Sequence, residues 1–122
     1  MKGLVVACAA LLAASGIARA DGDAARGEQR FAECAPCHAL TRDVESIGPS
    51  LYGLFGRKAG TSPDFRYSPA FKRSGVTWNA QSLDKYLADP QAFIPGNRMP
   101  FAGITDATAR TDLIAYLAKT FK

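Results

Sequence analysis

Ligand atoms are scarce in this chain. Of its 122 residues one is histidine, three are cysteine and two are methionine. Cys8 and Met1 fall within the first twenty residues, so beyond that point Cys34, Cys37, His38 and Met99 stand alone. The scarcity excludes most metal chemistry. A structural zinc site takes four Cys or His ligands, and three crowded into five residues leave no second half of the cage. Runs of like charge are missing too. With 15 basic and 11 acidic residues the formal net charge is +4, and no basic stripe exists that could track a phosphate backbone, so nucleic acid is not an expected partner. There is no internal repeat, no low-complexity tract and no linker-like stretch, and the length suits one domain. Alternating apolar–polar segments are absent, which points to an all-α fold.

The one long apolar run lies at the start, in MKGLVVACAALLAASGIARA. Lys2 supplies a positive leading region, Leu4 to about Ile17 an apolar stretch, and Ala18-Arg19-Ala20 a small-x-small cleavage pattern. The run is short for a span of roughly 20 apolar residues. Residues 1–20 are therefore expected to be a signal peptide cleaved after Ala20, with a single domain over 21–122. A membrane-tethered protein that keeps the segment is the competing reading. Loss of Lys2 and Arg19 would leave 13 basic against 11 acidic residues, a net charge of +2.

Residues 34–38 read CAPCH. A disulfide oxidoreductase places its CxxC after a strand, whereas this motif follows the helical pattern AARGEQRFAEC. A structural disulfide is allowed after export, but it would give His38 no role and would close a loop too small to restrain much of the unfolded chain. Covalent haem attachment uses every part: two sulfurs three residues apart on one helical face, and an imidazole at the next position as axial ligand. With no second histidine, Met99 is the candidate sixth ligand, a thioether being known in that place. A lone Met before Pro is equally an ordinary gap-filler.

Capping residues mark out the helices. Asp23 opens one to about Cys34, and Ser68-Pro69 opens a short one. Asn79 caps AQSLDKYLA, which Asp89-Pro90 stops, and Thr105 or Asp106 opens the last, with Leu113, Ile114, Tyr116 and Leu117 as its apolar stripe.

In order along the chain stand CAPCH, GPSLYGLFGRKAG, FRYSPAF, VTW, LDKYLADPQAFIPGNRMPF and RTDLIAYL. In these motifs, from about Gly22 to Phe121, the sequence resembles the class I c-type cytochromes, the group of mitochondrial cytochrome c and bacterial cytochrome c2. The resemblance implies the cytochrome c fold, three main helices plus short helices and loops around one haem c. It implies thioethers to Cys34 and Cys37, and His38 and Met99 as axial iron ligands. It further implies a Pro49 carbonyl bonded to the ligand histidine, Arg57, Tyr67 and Trp78 at a propionate, and Tyr86 beside the Met99 sulfur. Gly27 and Phe31 on the first helix would meet Leu113, Tyr116 and Leu117 on the last. Phe71 departs from the pattern, standing where many mitochondrial members carry Asn, and most of the lysines that ring their haem edge are missing.

The function expected is that of a soluble, monomeric electron-transfer protein, not an enzyme, in the periplasm of a Gram-negative bacterium. Its redox partner proteins would be a reductase such as a bc1-type complex and, as acceptor, an oxidase, peroxidase or reaction centre, with membranes approached only through those partners. A haem peroxidase is the enzyme alternative, opposed by the absence of a distal histidine.

Overall fold

The computed structural model describes residues 21–42, 46–63 and 65–121, and the proposed leader lies outside them. Its first helix, α1 (Ala24–Phe31), starts where Asp23 accepts the backbone N–H groups of Ala25 and Arg26 at 2.9 and 3.1 Å. Regular α-helix ends at Phe31, three residues short of the expected Cys34. The chain then tightens: Glu33, Cys34 and Cys37 donate to the carbonyls three residues back, at 3.2, 2.8 and 3.1 Å. Ala35 and His38 still reach four residues back, to Phe31 O and Cys34 O, both at 3.0 Å, and Pro36 between them has no N–H to donate.

The remaining caps fall at expected positions. Ser68 Oγ accepts Phe71 N–H at 3.1 Å and opens α2 (Pro69–Lys72). Asn79 and Ser82 exchange side-chain and backbone bonds, both 2.9 Å, at the head of α3 (Ala80–Ala88). Asp106, not Thr105, caps α5 (Ala107–Thr120), accepting from Thr108 and Ala109. Asp89 ends α3 as expected and also begins α4 (Pro90–Phe93), where its carboxylate takes the Ala92 N–H at 3.0 Å. Among the described residues the only strand-like pairing is one antiparallel bridge, Lys58 to Thr77.

The core is organised by the crossing of α1 and α5. A Cβ on Gly27 would lie against the Asp112 carbonyl and 2.8 Å from Tyr116 Cβ, so only glycine lets the backbones approach so closely. Phe31 packs on Tyr116 and Phe121, with ring centroids 5.4 and 5.7 Å apart, and Leu113, Leu117 and Phe121 close the interface. The buried Asp112 carboxylate ties the crossing together, accepting Asp23 N–H at 2.7 Å and Arg26 Nε at 2.8 Å. α3 packs on α5 as well. There Arg110 donates to Asp84 at 2.7 Å and to the carbonyls of Ile104 and Thr105, fixing the segment that returns from Met99.

Candidate functional site

The turn after α1 holds Cys34 and Cys37 half-buried and unpaired to each other as a disulfide. Burial, then the charges of Glu33 and Cys37, push the Cys34 thiol up to about 11. It stays protonated at neutral pH, the opposite of a thiolate tuned for disulfide exchange. Among the described residues no group of three or more His, Cys, Asp and Glu side chains gathers to hold a metal ion.

His38 follows at once, its N–H bonded to Cys34 O at 3.0 Å. Its Nδ1 lies 2.8 Å from Pro49 O. A carbonyl only accepts, so Nδ1 carries the proton and Nε2 keeps its lone pair. Burial lowers the ring's pKa, against the raising effect of the Pro49 bond, and Arg57 lowers it further. A neutral imidazole in this tautomer is the form that donates to iron. The Pro49 loop is itself held: Gly48 N–H donates to Cys37 O at 2.7 Å, and Arg57 spans the carbonyls of Ser50 and Tyr52, both at 3.0 Å. A side chain at Gly48 would strike the imidazole, 2.8 Å from Cε1. In the sequence Gly48 is only the first residue of GPSLYGLFGRKAG; its role against the ring is set by a contact ten positions away.

Further along the chain, Met99 is half-buried with its Sδ 3.7 Å from the Tyr86 hydroxyl. Cys34, Met99, Trp78 and Tyr86 all belong to one apolar cluster. Burial pushes the Tyr86 phenol up, so it remains a donor throughout the physiological range. Phe71 sits among the aromatics: stacked on Tyr67 (5.2 Å, 12°), and edge-on to Tyr86 (6.1 Å, 83°). Trp78 meets Tyr86 at 5.1 Å. The departure at Phe71 thus replaces a polar group with ring packing. Of the three expected propionate partners, Trp78 and Arg57 are paired through their backbones, Trp78 N–H to Arg57 O at 2.9 Å. Tyr67 is buried, and its hydroxyl accepts Ser62 N–H at 3.3 Å.

This donor set fits a haem. Two thiols one turn apart, one imidazole with a free Nε2 and one thioether with a hydroxyl donor stand on an all-α scaffold with an aromatic interior. Fold and site together define a c-type haem protein. The sequence model of the cytochrome c family matches residues 24–121. Cytochrome c2 of Blastochloris viridis is 47% identical over 108 residues, covering 88% of this chain and 85% of that protein. Cytochrome c of Euglena viridis is 44% identical, covering 83% of this chain and 99% of its own length. The solved structure of cytochrome cH from Methylobacterium extorquens aligns with a TM-score of 0.76 at 43% identity, over 80% of this chain and 99% of that one. The chain belongs to the cytochrome c family, in the class I group of the cytochromes c2. Its cofactor is one covalently attached haem c, and it is an electron carrier and not an enzyme.

Proposed function

We propose that this protein carries single electrons in the periplasm, with its haem held by thioethers to Cys34 and Cys37 and its iron between His38 and Met99. The bound group supplies a ferrous–ferric couple. The chain's own residues then set how that couple behaves. Pro49 fixes the tautomer and orientation of His38, and Gly48 and Arg57 hold the loop that presents Pro49. Tyr86 directs its hydroxyl at the Met99 sulfur and draws electron density from it. Arg57, Tyr67 and Trp78 stand at the positions that would neutralise and bond the propionates, since a carboxylate removed from water must be paired. With His38 and Met99 both holding the iron, no coordination site would be left for a substrate. A scaffold that holds both ligands in place changes little between oxidation states.

The observation that carries this reading is the bond from His38 to Pro49, because it leaves the chain's only imidazole with one free, unprotonated nitrogen. The test is a potentiometric titration of the exported protein with acid–acetone extraction alongside. A reversible one-electron wave, with haem retained by the wild type and lost from Cys34→Ala/Cys37→Ala, supports it. Haem that extracts from the wild type, or stays on the double variant, overturns the attachment.

Docking should follow the chain's charge. Around the motifs that would border the haem edge, Glu33, Gln91, Ala92, Thr105 and Asp106 are exposed, with Arg98 the one cation beside Met99. Exposed Lys58, Arg66, Lys72 and Arg73 instead share the 58–73 segment, whose ends are joined by the close approach of Gly60 to Lys72. A bc1-type reductase and an oxidase, peroxidase or reaction centre are the proposed donor and acceptor, with steering weaker than a full lysine ring provides. Removal of residues 1–20 would release the carrier, and no described helix is long and apolar enough to cross a membrane.

A further inference from the structure

The segment between α4 and Met99 contains a buried carboxamide that neither the motif reading nor the ligand assignment uses. Asn97 is 6% exposed, between exposed Gly96 and Arg98. Its Nδ2 donates to two carbonyls, Pro90 O at 2.8 Å and Ile94 O at 2.9 Å. Its Oδ1 accepts the Met99 backbone N–H at 3.0 Å. Its own carbonyl accepts Gln91 Nε2 at 3.0 Å. Every polar atom of the side chain is engaged, and each partner belongs either to α4 with its C-terminal residue or to Met99.

The arrangement follows from how the chain leaves a four-residue helix. Each of these two carbonyls already accepts one backbone N–H, Pro90 O from Ile94 at 3.0 Å and Ile94 O from Asn97 at 3.1 Å, and the chain turns away at Pro95 and Gly96, the latter at φ +87°. A side chain with two donors and one acceptor, short enough to fold back on its own turn, adds a second bond to both carbonyls and takes the Met99 N–H. Pro90, whose side chain is fully buried, anchors the helix to the core. The position of α4 is thereby passed through one carboxamide to the backbone of Met99.

We infer that Asn97 is the positioning residue of the Met99 loop, holding the thioether closed against competing iron ligands. The inference rests on Met99 as axial ligand and deepens that assignment. An external ligand such as imidazole binds only when the loop opens, so its apparent affinity scales with the open fraction. Weakening the clamp should raise that affinity by the same factor.

The experiment compares ferric holoprotein of the wild type, Asn97→Ala, Asn97→Ser and Ile114→Val. Imidazole affinity, the methionine-to-iron charge-transfer band and hydrogen exchange of the Met99 amide are read together. Asn97→Ala should raise imidazole affinity about tenfold or more, equivalent to about 1.4 kcal/mol, and speed Met99 amide exchange. Asn97→Ser keeps an oxygen for the Met99 N–H but has one O–H in place of two N–H donors, and should fall between. Ile114→Val, in the α5 core, should lower the unfolding midpoint and leave imidazole affinity unchanged. Should the Asn97 variants lower the midpoint while imidazole affinity stays within about twofold of wild type, Asn97 is structural only and the inference is wrong. A wild type lacking the methionine band, with Met99→Ala unchanged in imidazole affinity, would overturn the ligand assignment itself and the clamp with it.

Discussion

Replacing Gly27 with alanine adds one methyl group where α1 crosses α5. The new Cβ would lie 2.7 Å from the Asp112 carbonyl carbon and 2.8 Å from Tyr116 Cβ. Non-bonded carbons settle at about 3.5–4.0 Å, so the helices must part by roughly 1 Å to admit it. A gap of that size forfeits about a quarter to a half of each dispersion contact across it, including those of Phe31 with Tyr116 and Phe121. Overpacking a closed core costs about 1–3 kcal/mol. The upper end applies here, because the obstruction is helix backbone, which has no rotamer to change. Alanine's better helix propensity returns roughly 1 kcal/mol, leaving a net loss of about 2 kcal/mol. For a domain of about 100 residues that is a fall of roughly 8–16 °C in melting temperature. Thermal unfolding of the ferric holoprotein by far-ultraviolet circular dichroism measures it. The reduction potential should not move, since Gly27 touches neither His38 nor Met99. A variant melting within about 2 °C of wild type would refute the close crossing.

The Asp112 carboxyl is held below its ordinary value, first by the Arg26 hydrogen bond and then by the Asp23 N–H. A depressed folded-state value means that stabilisation is present above the unfolded value and is lost as pH falls through the folded one. The melting-temperature gap between wild type and Asp112→Asn should therefore be constant from neutrality to about pH 5 and shrink below about pH 4; a gap that widens on acidification contradicts this. Tyr86→Phe removes the donor to the Met99 sulfur, leaving it more electron-rich towards ferric iron, so the potential should fall; protein-film voltammetry showing a rise would refute that polarity. Lys72→Glu with Arg73→Glu should slow reaction with ferricyanide and flatten its dependence on ionic strength, and stopped-flow rates unchanged at low salt would place the steering field elsewhere.

How far the sequence could be read depended on the range of each interaction. Asp23, Ser68, Asn79 and Asp106 were legible as caps because each acts on N–H groups two or three residues ahead. CAPCH was legible because its parts are adjacent, whereas Met99 was only a candidate from the residues alone and was favoured as a ligand through the family resemblance. Pro49, Arg57, Tyr67, Trp78 and Tyr86 carry no local signal and entered only through family resemblance. α4 was hidden because Asp89-Pro90 reads as a stop, whereas the same Asp that ends α3 caps the next helix. Asp112 bonds Arg26 across 86 positions, and no pattern in RTDLIAYL distinguishes it from a solvated carboxylate. Gly48 and Asn97 were passed over for a related reason. One matters for a side chain it must lack, the other for carbonyls that come within its reach only once α4 and the turn after it have formed.

His38 and Met99 are proposed to hold the iron of an electron carrier between them. Met99→Ala tests this most directly, read by the ferric and ferrous absorption spectra with the reduction potential. The variant should keep its haem covalently attached, lose the methionine-to-iron band, bind cyanide or imidazole readily and show a lowered potential. An unchanged spectrum and an unchanged potential would mean that Met99 is not the ligand, and the proposed electron-transfer site would have to be rebuilt around another group.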